Sequence, residues 1–320
     1  MNTPAFWNSR NIVATALLPL SWGYDLARRL RRAWVTPTTL PVPVICVGNI
    51  TAGGAGKTPV ALHIGALLKR AGIRAFFLSR GYGGRLSGPI SVDPAMHNAG
   101  DVGDEPLLLC ACLPTIVSKS RLAGAQYAIA QGAQVIVMDD GFQNPALKKN
   151  LSLVVVDGAI GFGNGFLLPA GPLREPLREG LARADALIVI NATEPWTLAQ
   201  GKPVFTAATQ PLAVDAVKDR RWLAFCGIAY PQKFFTTLHN LGGHVMATRA
   251  FADHHPYMPH EIENLRHEAT DLGAQLITTA KDLVRIPDQC RGNIHALEIM
   301  LAFDKEEAFA NLIFGAVKIT

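Results

Sequence analysis

Val42-Pro43-Val44-Ile45-Cys46-Val47 runs straight into Gly48-Asn-Ile-Thr-Ala-Gly-Gly-Ala-Gly-Lys-Thr-Pro59, and this junction decides the fold. A short, nearly continuous apolar run is what a parallel strand buried on both faces requires. Beyond the glycines, Val60, Ala61, Ile64, Leu67, Leu68 and Ala71 recur at helical spacing. Strand, glycine-rich turn, Lys-Thr and helix, in that order, are the setting of a Walker A phosphate loop. The backbone N–H groups of Gly53, Gly54, Ala55 and Gly56 would approach phosphate oxygens, and the new helix aims its positive end at them. Lys57 would reach the β- and γ-phosphates of ATP, and Thr58 would hold Mg2+. The first position of the G-x-x-x-x-G-K-[ST] pattern is Thr51. A β-branched residue is strained there only if the backbone needs a positive φ.

A phosphate loop of this kind needs an acidic strand end beside it. Val135-Ile-Val-Met-Asp139-Asp140-Gly-Phe-Gln143 supplies one. Open α/β sheets bind ligands at the carboxyl ends of their strands, so one of Asp139 and Asp140 can serve Mg2+ while its neighbour faces away. The apolar strand Phe76-Phe-Leu-Ser79 leads into Arg80, Tyr82 and a glycine-rich loop at the same edge. Arg80 and Tyr82 there read either as contacts to an anionic, ring-bearing substrate or as a solvated hairpin tip. Asp104 in Gly103-Asp-Glu-Pro106 is open to two readings as well. It is a helix cap, or it is the carboxylate that takes the proton from an acceptor hydroxyl. Leu167-Leu-Pro-Ala-Gly-Pro-Leu-Arg174-Glu175-Pro176 reads as a rigid loop presenting Arg174 and Glu175 in fixed positions.

These motifs together resemble one family. The set V-G-N-I-T-A-G-G-A-G-K-T-P, S-R-G-Y-G-G, G-D-E-P, D-D-G-F-Q, L-L-P-A-G-P-L-R-E-P, F-A-D-H-H and T-T-A-K-D runs in order from about Val47 to Asp282. It is similar to the tetraacyldisaccharide 4'-kinases of lipid A biosynthesis. The resemblance implies an ATP- and Mg2+-dependent phosphotransferase acting on the 4'-hydroxyl of an acylated glucosamine disaccharide 1-phosphate. It also implies work at the cytoplasmic face of a bacterial inner membrane, with peripheral or monotopic attachment. By the same resemblance Lys57 and Thr58 serve phosphate and Mg2+, Asp139 and Asp140 lie near the metal, and Glu175 is a second metal-side carboxylate. Asp104 is the catalytic base, assisted by His254. Arg121 is a phosphate-side or substrate-side cation; Asp104, and Arg80 and Tyr82 as read from their own loop, are the expected substrate contacts. One departure is Ala280 in T-T-A-K-D, where such proteins usually carry Glu.

The N-terminal stretch Ile12 to Tyr24 is apolar, contains Pro19 and is followed by Arg28, Arg29, Arg31 and Arg32. It is too short for a confident span, and it reads as an interfacial helix on a membrane surface or as an amphipathic helix docked on its own domain. Val35 to Pro43, with three prolines and three threonines, reads as an extended linker.

From Leu223 onward strands and helices alternate again: Leu223–Cys226, a helix carrying Phe234, Phe235, Leu238 and Leu241, Val245–Thr248, a helix after Pro259, Leu276–Thr278, Ile294–Leu301 and a last helix from Asp304. That pattern predicts a second parallel α/β unit, with 191–209 as the connector. The fold expected is therefore α/β: an N-terminal membrane-associated helix at 1–35, a P-loop NTPase-like kinase domain at 36–200, and a smaller C-terminal α/β domain at 210–320 closing over the nucleotide cleft. His254, His255, His260 and His267 follow no metal-site spacing, and His255 reads as structural or solvent-exposed.

Composition agrees with two ordinary domains. The chain has 320 residues, of which 49% are apolar and 17% charged, which excludes a disordered or coiled-coil sequence. Five cysteines with no C-x-x-C pair argue for a reducing compartment. A net charge of +5 suits an anionic partner but is too small to signal nucleic acid, and a monomer is expected. A P-loop switch that hydrolyses nucleotide to drive binding of a protein partner is the reading from another class. It keeps the Walker residues and has no use for a base at Asp104.

Overall fold

The computed structural model describes residues 4–196, 201–212 and 214–317. The expected domain ends at residues 1, 200 and 320, and part of the 191–209 connector, lie outside them. The described chain begins with a single 3-10 turn and two helices, Ile12–Ala16 (α1) and Leu18–Ala33 (α2). Asn11 caps α1 by accepting the Ala14 N–H at 3.0 Å. Pro19 lies in the first turn of α2, where its missing N–H has no partner to lose. The apolar stretch is thus interrupted at Leu17, and Pro19 starts a helix instead of ending one.

The first α/β unit follows with Val44–Gly48 (β1), Lys57–Arg70 (α3), Ala75–Ser79 (β2), Ile90–Ser91 (β3), Ala99–Val102 (α4), Asp104–Cys110 (α5), Thr115–Val117 (β4) and Arg121–Ala130 (α6). It continues through Val135–Asp139 (β5), Leu151–Asp157 (β6), Leu177–Arg183 (α7), Ala186–Ile190 (β7) and Val204–Pro211 (β8). The second unit contains Val214–Val217 (α8), Arg221–Cys226 (β9), Pro231–Asn240 (α9), His244–Ala250 (β10), Pro259–Asp271 (α10), Gln275–Thr279 (β11), Ala280–Leu283 (α11) and Ile294–Leu297 (β12). Ile299–Phe303 (β13) and Glu306–Ala316 (α12) end the chain.

Nine strands form one sheet in the order β13-β8-β7-β6-β1-β5-β2-β4-β3, and four form another in the order β10-β9-β11-β12. Within the first sheet β8 to β4 run parallel, and only the edge strands β3 and β13 are antiparallel. All five residues of β1, β2, β5 and β7 are buried, because helices cover both faces. On one face Ile64 and Leu68 of α3 and Phe309 and Ile313 of α12 pack on Ile45, Val137 and Leu153. On the other, Ala125 and Ala128 of α6, Leu181 of α7 and Phe142 pack on Cys46, Met138 and Val154. The second sheet is covered likewise by α10 on one face and α9 on the other.

Two expectations change here. The connector contains β8, a full strand of the first sheet, and the run Ile294–Leu301 is two strands. The chain passes at Glu298 from β12 in the second sheet to β13, which pairs antiparallel with β8. Phe303 then stacks on Phe309 at 4.2 Å, so α12 belongs to the core of the first unit. The 210–320 boundary therefore does not follow the sheets: the chain leaves the first sheet after β8 and returns to it at β13.

The N-terminal helix lies on the first unit. Ser21 Oγ donates to Leu167 O at 2.9 Å, Tyr24 OH donates to Arg174 O at 3.0 Å, and Arg28 and Arg29 pair with Asp25 and Glu179. Tyr24 thus faces the body of the protein, while Trp22 (67% exposed), Leu26, Leu30 and Trp34 (85% exposed) form an outward stripe at four-residue intervals. Among the described residues no helix is long and apolar enough to cross a membrane.

Candidate active site

β1 lies between β5 and β6, so successive strands are laid on opposite sides of it. This is the switch point at which open parallel sheets offer a crevice beyond their carboxyl ends. Gly48, at the end of β1, packs so tightly on Phe142 that a Cβ would collide with it. The positive φ values of the phosphate loop fall on Gly53 (113°) and Gly56 (85°), and Thr51 is spared. Thr51 instead pairs antiparallel with Leu173, with Ala52 N donating to Pro172 O at 2.7 Å. The departure at the first Walker position is thereby explained. The loop enters as an extended segment bonded to the proline-rich loop, and a β-branched residue suits it.

Gly53 and Gly54 are exposed, Ala55 is buried, and Gly56 is the N-cap residue of α3. Lys57 and Thr58 occupy the first turn of α3. The register Val47↔Asp139 puts Asp139 beside the loop, and Thr58 Oγ1 donates to Asp139 Oδ2 at 3.2 Å. Oδ1 of Asp139 is buried with no hydrogen-bond partner. Burial, and then the nearby Glu105 charge, push the Asp139 carboxyl up to about 7. Asp140 adopts φ 53° and turns away, towards Arg174 Nη1 at 2.9 and 3.1 Å and Lys57 Nζ at 3.8 Å. Burial would raise Asp140, but Lys57 and Arg174 outweigh it and hold the carboxyl below its usual range. A hydroxyl and a carboxylate with an unsatisfied buried oxygen are the hard donors that suit Mg2+, which commonly takes one or two carboxylates and fills its shell with phosphate oxygens and water.

Arg121, the first residue of α6, is buried, with Nη1 donating to Ser118 O at 2.8 Å and Nε lacking a partner. Asp140 and Arg80 both act on its charge, so Arg80, Arg121 and the acidic pair share one neighbourhood. Arg80 itself is exposed. Glu175 lies elsewhere in its bonding. Its Oε1 accepts from Gln143 Nε2 at 3.0 Å, its Oε2 is bonded to Arg183, and Arg183 lies 4.5 Å above the Phe142 ring. Both carboxylate oxygens are engaged with side chains, which gives Glu175 the contacts of an anchor. Gln143 also donates to Asn49 O at 2.7 Å, tying that anchor to the start of the phosphate loop.

Facing this edge are Asp104 and His254. Asp104 is the first residue of α5, and no side chain caps that helix, which leaves Asp104 free for the cleft. His254 Nδ1 is 3.1 Å from Asp104 Oδ2, and the same oxygen accepts from Arg285 Nε at 2.9 Å and from Arg285 Nη2. The side chains of Asp104 and Arg285 are only 5% and 4% exposed. Burial alone would raise the Asp104 carboxyl, but the His254 hydrogen bond and the Arg285 charge hold it well below the usual range. His254, at φ 59°, is raised above its ordinary value by its bond to Asp104, with burial opposing. The Tyr82 ring, 69% exposed, meets His254 edge-on at 5.8 Å. Tyr82, Asp104 and His254 are thus brought together, while Arg80 lies nearer Arg121.

Sequence reasoning missed Arg285. It stands three residues after Asp282, whose carboxylate accepts from Gly227 N at 2.8 Å, Tyr257 OH at 2.9 Å and Arg285 Nη1 at 3.1 Å. The T-T-A-K-D motif therefore fixes the base of the His254 loop, since His254 N also donates to Gly227 O. No local pattern marks an Arg for that role. His255 is structural, as one reading had it: Nε2 pairs with Glu261 at 2.9 Å and the ring stacks on Phe251.

Comparison with known proteins bears directly on this geometry. The sequence profile of the family described as Tetraacyldisaccharide-1-P 4'-kinase matches residues 13–318. The chain is 47% identical to the tetraacyldisaccharide 4'-kinase of Rhodospirillum centenum, over 98% of its own length and 96% of that protein. It is also 47% identical to the tetraacyldisaccharide 4'-kinase of Rhodospirillum rubrum, over 98% and 97% respectively. Among solved structures it matches the "apo" form of LpxK from Aquifex aeolicus in complex with ATP, with a TM-score of 0.79 and 30% identity over 96% of this chain and 100% of that one.

Proposed function

The chain belongs to the tetraacyldisaccharide-1-P 4'-kinase family, and from that premise we propose how its residues share the transfer of a phosphoryl group from ATP. The acceptor is the 4'-hydroxyl of a tetraacylated glucosamine disaccharide 1-phosphate, in lipid A biosynthesis. The phosphate-loop amides of residues 53–56 bind the polyphosphate, and Lys57 and Arg121 offset its charge. Thr58 and Asp139 hold Mg2+, which when bound neutralises charge on the transferred group. Asp140 keeps Lys57 and Arg174 aligned.

Asp104 and His254 act as a pair on the acceptor hydroxyl. Asp104, pinned by Arg285, is a weak acceptor by itself and orients the imidazole through Nδ1. The proton is taken by the pair and is held on the imidazole. Arg80 and Tyr82 meet the sugar and its phosphate. Glu175 positions the loop that carries Arg174. The observation that carries this reading is the buried, unpartnered oxygen of Asp139 beside Thr58 on a phosphate loop, with the Asp104–His254 pair at the facing edge.

The outward stripe from Trp22 to Trp34 supports peripheral attachment to the cytoplasmic face of the inner membrane, because an apolar helix face flanked by Arg31 suits a headgroup boundary. A monomer suffices, since one chain supplies phosphate loop, acidic pair and proton acceptor. The test is incubation with γ-labelled ATP, Mg2+ and the tetraacylated disaccharide 1-phosphate in detergent micelles. Label is expected on the lipid, and to be absent with Lys57→Ala. Label released only as inorganic phosphate by the unaltered protein overturns the proposed division of roles.

A further inference from the structure

The T-T-A-K-D motif contains one residue that the scheme above leaves unused. Asp282 is wholly buried and bonded on every side within the second unit, but Lys281 reaches out of that unit. Its Nζ donates to Glu105 Oε1 at 3.1 Å, across the cleft at the head of α5. Lys281 is in the first turn of α11, directly after the carboxyl end of β11. Lys57 likewise stands in the first turn of the helix that follows a strand, α3 after β1, but with the phosphate loop between strand and helix. Each sheet therefore delivers one lysine, from the helix that follows a strand end, towards the same crevice.

The charges at this crevice are matched unevenly. Asp104 has Arg285 and His254, and Asp140 has Arg174 and Lys57. Asp139 has no ion-pair partner among the described residues, and the charges of Glu105, Lys57 and Lys281 all act on it. The Glu105–Lys281 pair thus borders the site where the terminal phosphate of ATP and its metal would lie. Both side chains are part-exposed, at 22% and 33%, yet burial opposes the Lys281 charge and is outweighed by Glu105 and Asp104, so a Lys281 that leaves Glu105 needs another anion in its place.

We propose that Lys281 is a second phosphate-binding lysine, carried by the second unit and parked on Glu105, which moves its charge to the terminal phosphate of ATP when nucleotide fills the cleft. The inference rests on the phosphate loop being the ATP site, which Lys57→Ala tests separately.

The experiment compares ATP and ADP dissociation constants by calorimetry, on the full-length protein in detergent micelles with Mg2+, for Lys281→Met, Lys281→Arg and Glu105→Gln. Loss of one charge-assisted contact to the terminal phosphate should weaken ATP binding about tenfold and leave ADP within about twofold in Lys281→Met. Lys281→Arg should restore most of the difference. Glu105→Gln also breaks the resting pair but keeps the lysine, so it should bind ATP at least as tightly as the unaltered protein. Equal weakening for ATP and ADP, no change in either, or Glu105→Gln weakening ATP as much as Lys281→Met would overturn the proposal. Any of these would make the pair a structural clasp between the two units or a contact without consequence for nucleotide.

Discussion

Thr58 Oγ1 and Asp139 Oδ2 meet at 3.2 Å, and the other oxygen of that carboxylate is buried without a partner. In the proposed role this arrangement would trade stability for metal affinity. The folded-state pKa of Asp139, pushed up to about 7, lies above the ~3.9 of an unfolded aspartate. The unfolded chain therefore loses its proton first, and this group removes stability as pH rises from about 4 to about 7. Asp139→Asn is expected to raise the melting temperature of the nucleotide-free protein at pH 8 by about 2–4 °C. It should also abolish Mg2+-dependent tightening of ATP binding. Calorimetric melting and nucleotide titration check both, and a lowered melting temperature would show that the carboxylate is paired after all.

As the proposed Mg2+ ligand, Asp139 would have to bind in its ionised form. Mg2+-ATP affinity should therefore rise with pH through about 7, with proton release approaching one per metal below that pH and falling to about half a proton at it. Titration calorimetry in buffers of different ionisation enthalpy measures the proton count directly. A pH-independent affinity with no proton release would remove Asp139 from the metal site.

Proton removal by the Asp104–His254 pair has its own pH signature. His254 must be neutral to accept, and its pKa lies above the ordinary histidine value, so kcat/KM should rise with pH through that raised value. Asp104→Asn removes the contribution that raises it, and the acid limb should move to lower pH while kcat falls by a factor of about 100 or more. KM for ATP should change little. An acid limb that stays in place would mean that another group sets it.

Glu175 offers a direct choice between metal ligand and anchor. With Arg183 and Gln143 on its two oxygens, Arg183→Met should destabilise the fold by about 3 kcal/mol, because it strands a buried carboxylate. Adding Glu175→Gln to that variant should recover part of the loss. If Glu175→Gln alone instead lowered Mg2+ affinity at unchanged stability, the metal role implied by resemblance would stand.

Membrane attachment is testable through the outward face of α2. Trp22→Ser, Leu26→Ser and Trp34→Ser combined remove three exposed apolar side chains and no internal contact of the core. Retention on vesicles of phosphatidylethanolamine and phosphatidylglycerol should fall at least about tenfold, with ATP binding unchanged. Sedimentation reads the first and calorimetry the second. Undiminished retention would assign the attachment to another surface.

Some of this site is legible from local chemistry. Strand, glycine loop, Lys57 and Thr58 are neighbours in the chain, and a helix N-terminus that follows a buried strand can present its amides in few ways. The acidic end of β5 is readable because the apolar run ends on it, whereas the divergence of Asp139 and Asp140 comes from the left-handed turn at Asp140. The partners of Glu175 are not legible, because its motif says that the loop is rigid but not what its carboxylate touches. Burial beside Arg183, on the far side of the phosphate loop's entry, assigns that partner. The Ile294–Leu301 run was misread because six apolar residues in eight look alike whether one sheet or two receives them.

Residue pattern alone was enough for the P-loop, the acidic strand end, the α/β class and, through the ordered motifs, the family. Those properties rest on backbone geometry over a few consecutive residues, which side-chain type controls directly. Only the folded chain could join Arg285 to Asp104, 181 residues away, return β13 to the first sheet, and set Lys281 opposite Glu105. Such pairings depend on how two sheets come to face each other, and that is fixed by the burial of both cores together, which no short stretch of sequence encodes.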